Sequence, residues 1–156
     1  MLLKTNFLNG LFFLMITAMI VSCNEDDDPP IQTGYVNITI YPDATEYIEL
    51  NSPGGYVYLN ANEPSRGILV YRLTMDEFKA YERTPTYKPD SCCFFTSGNV
   101  KICSRVIVED NGLFINDTCT GSKWLILDGS VQNGPAKYPL VSYQTFYDGN
   151  ALTISN

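Results

Sequence analysis

Apolar and polar residues alternate along most of this chain with a period of two. Tyr35 to Tyr41 runs Tyr, Val, Asn, Ile, Thr, Ile, Tyr, which predicts a strand with one face buried. Pro42-Asp43 turns the chain, and Glu46 to Leu50 is a second short strand candidate ending at Asn51-Ser52-Pro53-Gly54-Gly55, a dense run of turn residues. Tyr56 to Leu59 and Gly67 to Arg72 follow as strands. Thr74-Met75-Asp76-Glu77 changes the pattern: a threonine with glutamate three residues later is a capping box, so a short helix is expected there, with Phe78 and Tyr81 on its buried side and Pro85 ending it.

From Thr84 to Gly121 the periodicity breaks into prolines, paired cysteines and short apolar runs. Arg105 to Val108 and Leu113 to Ile115 flank Asp110-Asn111-Gly112, and Asn-Gly between two apolar runs signals a hairpin. Lys123 to Leu127, the Asp128-Gly129 turn, Leu140 to Tyr147 and Ala151 to Ile154 complete the set, the last two joined by Asp148-Gly149-Asn150. Trp124 stands on a predicted strand and is expected in the core. The pattern is all-β with one short helix, arranged as a sandwich or small barrel of stacked antiparallel sheets.

The first 22 residues do not belong to that pattern. Lys4 precedes an apolar stretch from Leu11 to Val21, the arrangement of a secretory signal peptide and too short for a membrane span. The stretch ends Ile20-Val21-Ser22-Cys23, which is similar to the bacterial lipobox. That likeness implies cleavage before Cys23 and a diacylglycerol or palmitate-type anchor on its thiol. Asn24-Glu25-Asp26-Asp27-Asp28-Pro29-Pro30 cannot bury apolar area and reads as a solvated acidic tether. An acidic run in that place resembles the signal that sends some Gram-negative lipoproteins to the outer face of the outer membrane. The expected organisation is a lipoprotein signal peptide over 1–22, an acidic tether over 23–33 and a β domain over 34–156. The expected location is the outer membrane, with the cell surface favoured over the periplasmic side.

Charge narrows the partners. The chain has 10 Lys and Arg, 17 Asp and Glu and no His, for a net charge of −7. Removal of residues 1–22 takes away Lys4 alone among them, so 9 cations face 17 carboxylates. Such a surface repels phosphate backbones, and no basic patch is interleaved with aromatics, so nucleic acid is not an expected partner. The expected partners are the lipid bilayer through acylated Cys23 and another envelope protein. Without histidine there is no Ser-His or Cys-His nucleophile pair, and a carboxylate pair such as Asp117 and Asp128 has only residue type behind it. An enzyme is not expected.

Lipidation of Cys23 would leave Cys92, Cys93, Cys103 and Cys119, an even number that reads as disulfides in an exported chain. Cys92 and Cys93 are neighbours and could bridge each other only through a strained ring. Two connectivities remain: 92 with 103 and 93 with 119, or 92 with 119 and 93 with 103. Four cysteines are also the number needed for zinc or an all-thiolate cluster, so electron transfer through a metal held by Cys92, Cys93, Cys103 and Cys119 is the alternative. The spacing lacks a C-x-x-C pair.

The C-terminal third carries Gly121-Ser122-Lys123-Trp124, Asp128-Gly129, Gly134-Pro135-Ala136 and Pro139-Leu140 in that order. This succession resembles the Rieske iron-sulfur family over about residues 55 to 156. The resemblance implies a fold of stacked antiparallel sheets with a disulfide-bearing loop subdomain. In the family two loops, C-x-H and C-x-x-H-G-S, meet over a two-iron, two-sulfur cluster, and a loop with Gly-Pro-Ala covers it. Aligned on Gly121-Ser122, the second cysteine and histidine positions hold Asp117 and Thr120. Aligned on Thr86 and Pro89, the first-loop positions hold Pro85 and Tyr87. None is a ligand for such a cluster, so no cofactor is expected. Cys119 falls on the family's second-loop disulfide cysteine, and Cys92 or Cys93 lies near its first-loop partner. The expectation is a Rieske-like scaffold without its cluster, serving as a binding or structural surface, with Tyr87, Phe94 and Phe95 packed into the vacated space.

Overall fold

The computed structural model describes residues 31–156. The segment expected to be a signal peptide, Cys23 and the acidic run expected to be a tether lie outside the described residues. The described residues form twelve strands: β1 Asn37–Ile40, β2 Tyr56–Leu59, β3 Ile68–Arg72, β4 Phe78–Glu82, β5 Cys93–Phe95, β6 Lys101–Cys103, β7 Ile107–Val108, β8 Phe114–Asn116, β9 Lys123–Leu125, β10 Val131–Asn133, β11 Ser142–Tyr147 and β12 Leu152–Ser155. All paired strands run antiparallel. A six-stranded sheet has the order β1-β12-β11-β4-β3-β2, a four-stranded meander the order β10-β9-β8-β7, and β5-β6 forms a separate hairpin. Both the hairpin and the meander are inserted between β4 and β11, which are neighbours in the large sheet. Among the described residues no helix is long and apolar enough to cross a membrane.

β3 explains why two cores form. Its run Ile68-Leu69-Val70-Tyr71 is apolar without alternation, as in a strand covered on both faces, and every residue of the strand is buried. Ile68 and Val70 point into a cluster with Val36, Ile40, Leu50, Phe78, Ala80, Leu152 and Ile154. Leu69 and Tyr71 point the other way, into a cluster shared with the meander through Val106, Ile115, Trp124, Ile126 and Leu140. Trp124 is fully buried there, its indole N–H donating to the Tyr138 carbonyl at 3.0 Å.

Two local expectations are corrected. The segment beginning at Thr74 is not a helix. Leu73 and Thr74 both donate backbone N–H to the Glu77 carbonyl, making a tight turn, and Phe78 to Glu82 continues as β4 in register with β3, Arg72 opposite Phe78. Period-two placement sends Phe78 and Ala80 into one core and Tyr81 into the other, and this burial on both faces outweighs the local capping signal. Conversely, Glu46 to Leu50 is not a strand but part of a 3-10 segment, Thr45–Asn51, in which only Leu50 is buried. Buried Arg72 ties both segments down. Its guanidinium donates to the carbonyls of Leu50 at 2.7 Å, Thr74 at 3.3 Å and Met75, and lies over the Phe78 ring.

The remaining predicted strands form within a few residues of their expected limits. Asp110-Asn111-Gly112 joins β7 to β8, with Gly112 at φ 67°. Asp148-Gly149-Asn150 joins β11 to β12, the Asp148 carboxylate accepting from the N–H groups of Asn150 and Ala151. β5, β6 and β10 were not legible in the pattern, being three residues each.

Candidate functional site

Three loops converge at one end of the meander. The first, Thr84 to Cys92, leaves β4; the second, Asp117 to Gly121, joins β8 to β9; the third, Gly134 to Tyr138, follows β10. A disulfide between Cys92 and Cys119 joins the first two, with Cα atoms 5.9 Å apart. Cys93 pairs with Cys103 directly opposite it across the β5-β6 hairpin, Cα atoms 4.0 Å apart. The structure thus selects the second of the two connectivities.

The second loop is organised around Asp117, which is fully buried. Its Oδ1 accepts the Cys119 N–H at 3.1 Å; its Oδ2 accepts the Thr120 N–H at 3.2 Å and the Thr120 hydroxyl at 2.6 Å. Thr120 has only one hydroxyl proton, and Asp117 takes it. The 2.9 Å contact between Thr120 Oγ1 and Ser122 Oγ therefore runs from Ser122 as donor. Ser122 Oγ in turn accepts the Ala136 N–H of the third loop at 3.2 Å. A directed chain of donors runs from the third loop to the buried carboxylate of the second.

The third loop lies against the second because Gly134 permits it. At φ 94° a Cβ on Gly134 would sit 2.6 Å from Ser122 Cα and 2.8 Å from the Gly121 carbonyl oxygen, both backbone atoms that cannot move aside. The Tyr138 carbonyl then collects the Trp124 indole and, from the first loop, the Thr86 hydroxyl at 2.9 Å. Pro85 is buried, and Tyr87 is half-buried against the meander core, beside the Lys88 ammonium.

Phe94 and Phe95 do not fill this space, contrary to expectation. They stand on β5, both more than half exposed, because that strand pairs only with β6 and neither face joins a core. Asp128 likewise is no partner of Asp117: it is exposed at the turn between β9 and β10, accepting the Ser130 N–H at 2.9 Å. Hydrogen bonds from the Ser130 side chain and backbone hold its carboxyl below the usual carboxylate range.

A cleft of about 620 Å³ lies between the Asn60 to Gly67 loop and the hairpin, lined by Arg66, Asp90, Lys101 and Arg105. Arg66 pairs with Asp90 at 2.7 Å and also donates to the carbonyls of Pro89 and Ser104; Lys101 reaches Asp90 at 3.2 Å. Among the described residues, Asp90, Cys93 and Cys103 bring a carboxylate oxygen and two sulfurs within 4.8 Å of one another. While Cys93 and Cys103 are bridged neither sulfur is a thiolate, the form a metal needs, and Asp90 already holds two cations.

Behind the cleft lies a site that sequence reasoning missed. Glu82, fully buried, accepts five hydrogen bonds: from the Ser65 hydroxyl at 2.6 Å, the Arg66 N–H at 2.9 Å, the Thr84 N–H at 2.9 Å, the Thr84 hydroxyl at 2.7 Å and the Tyr143 phenol at 2.6 Å. It binds the Ser65 loop, the start of the first converging loop and β11 into one knot. A single glutamate ending a strand carries no signal that five donors from three segments will surround it.

No protein-family model matches this chain, and no curated protein matches it.

Proposed function

We propose that the chain is a membrane-anchored bacterial lipoprotein whose β domain is a Rieske-like scaffold without a cluster, acting as a binding or structural module of the cell envelope rather than as an enzyme. The observation that carries the reading is the bonding at Asp117 and Thr120. These stand where the family would place a cysteine and a histidine, and here they satisfy each other, their two side chains closed by a 2.6 Å hydrogen bond. Three further features support it. A meander is inserted between adjacent strands of a larger sheet. A disulfide joins the two loops that would face a cluster. The Gly134-Pro135-Ala136 loop rests on Gly121-Ser122.

Two measurements test the two halves of the proposal. Protein purified without oxygen should contain no iron and show no visible cluster absorption; stoichiometric iron with such absorption overturns the cluster-less reading. Mass spectrometry of the N-terminal peptide from native membranes should find Cys23 as the first residue, carrying acyl chains. An unmodified peptide that begins elsewhere overturns the anchor, and with it the assignment to the outer membrane. The alternative, a metal held by four thiolates, requires both disulfides to be open. Alkylation without reductant that labels Cys92, Cys93, Cys103 and Cys119 in the native protein would favour it.

A further inference from the structure

The β5-β6 hairpin is built unlike the rest of the domain. A pair of three-residue strands is not stable alone in water, and this one belongs to neither core; the Cys93–Cys103 bridge closes its base and Cys92–Cys119 ties that base to the meander. Alternation places Phe94 and Ile102, directly opposite each other, on one face, while Phe95, Lys101 and the disulfide share the other. On the second face Lys101 reaches Asp90 at 3.2 Å, while Phe95 stays open. The apolar side chains remain in water: Phe94 is 59% exposed, Phe95 65%, Val100 60% and Ile102 44%. Spread over both faces of one short, covalently braced protrusion, they present roughly 400 Å² of apolar surface to the surroundings.

We infer that this hairpin is a membrane-docking element whose Phe94, Phe95, Val100 and Ile102 enter the acyl boundary of the bilayer that holds Cys23. The inference rests on the lipoprotein reading for how the hairpin is brought to the bilayer. Area argues against a second copy as the occupant. A stable dimer needs about 800 Å² from each partner, roughly twice what the hairpin offers. A bilayer requires no complementary shape, and attraction scales with the apolar area inserted.

Position argues in the same direction. Gly34, where the domain begins, packs on the Asn62 to Pro64 segment, a Cβ there lying 3.1 Å from Pro64 Cδ. Glu63 and Pro64 form one wall of the cleft, and Val100, Lys101 and Ile102 form the other. The eleven residues from Cys23 to Gly34 can reach at most about 40 Å, so an anchor on Cys23 keeps the hairpin within reach of the same membrane. Arg105, exposed and in no ion pair among the described residues, lines the cleft beside the apolar residues, where it can meet lipid phosphates.

The test uses the mature chain, residues 23–156, with Cys23→Ser and both disulfides intact; every buried residue of the two cores lies within 36–154 and is retained. Sedimented with vesicles of phosphatidylethanolamine and phosphatidylglycerol, it should pellet with the lipid. The double variant Phe94→Ser/Phe95→Ser should lose about tenfold or more in partitioning at an unchanged melting temperature, since neither ring packs in a core. A chain that stays in solution, or a double variant that binds equally well, overturns the proposal. So does a dimer in vesicle-free sedimentation that the double variant abolishes, since the face would then belong to a second copy. If Cys23 proves unacylated in native membranes while the vesicle binding holds, the lipoprotein reading falls and the docking surface stands.

Discussion

Thr120 donates its hydroxyl proton to Asp117 at 2.6 Å, the shortest of three bonds by which a buried carboxylate closes its own loop. Asp117 is the acceptor for three donors of the segment Cys119 to Thr120, so its side chain holds the loop's shape. Asp117→Ala would leave two backbone N–H groups and a hydroxyl without their acceptor. We expect a loss of about 2 to 3 kcal/mol in the unfolding free energy from urea titration, with Thr120→Val costing about 1 kcal/mol. The double variant should cost less than the sum of the two, because they remove the same bond.

The two disulfides are expected to act on different scales. Cys92 and Cys119 are 27 residues apart and join two loops of different elements, so Cys92→Ala/Cys119→Ala should lower global stability by about 3 kcal/mol. Cys93→Ala/Cys103→Ala opens only the base of a hairpin outside both cores. Its main effect should be protease cleavage within residues 94–102, with the melting of the β domain changed less than in the first pair.

Glu82 and Tyr143 meet at 2.6 Å inside a knot of five donors. Glu82→Gln replaces one acceptor oxygen by an NH2 that must face donors already in place, and should destabilise by about 2 to 4 kcal/mol. Tyr143→Phe removes one donor and keeps the ring, so about 1 kcal/mol is expected. An equal loss in the two variants, measured by chemical denaturation, would show that the Tyr143 bond alone, and not the set of five donors, accounts for the effect of Glu82.

Alkaline pH should unfold the domain through its buried phenols. Burial, followed by the charge of Asp128, raises the pKa of Tyr81; burial, followed by the hydrogen bond to Glu82, raises that of Tyr143. Both groups bind their protons more tightly in the folded chain than in the unfolded one. Their contribution is complete below the ordinary tyrosine pKa of about 10 and is lost progressively as pH rises beyond it, where the unfolded chain alone releases these protons. Denaturant midpoints measured from neutral to strongly alkaline pH should fall above that value, less steeply in Tyr81→Phe and Tyr143→Phe.

Gly134→Ala should separate the third loop from the second. The added methyl meets the backbone of Gly121 and Ser122 in a conformation that L residues rarely adopt. We expect a loss of about 1 to 3 kcal/mol and faster exchange of the Ala136 amide, whose acceptor is Ser122 Oγ.

Much of the architecture was legible along the chain where burial follows a simple period. β1, β2, β3, β11 and β12 lie in or close to their predicted spans, and the Asn-Gly and Asp-Gly turns fall where turn chemistry puts them. The errors have a common cause. Thr74 to Glu77 carries a helix start that is locally sound, yet the following residues must cover two cores at once, which only a strand can do. Phe94 and Phe95 look like core residues by type, but their strand is short, stands apart and is fixed by sulfur rather than by packing. For the converging loops, the residue types were readable and the bonding was not: the mutual hydrogen bond of Asp117 and Thr120 depends on side-chain placement.

The sequence by itself determined an all-β chain with an even set of four cysteines in its body, an acidic surface and no histidine chemistry, because these follow from residue type and short-range alternation. Only the tertiary structure decided which cysteines pair, since both connectivities are equally compatible with their spacing and the choice depends on β5 lying opposite β6 and the first loop lying beside the second. It also decided that Glu82 is buried among five donors and that Phe94 and Phe95 face water. Both outcomes depend on segments far apart in the chain, and no local period encodes what will come to lie against them.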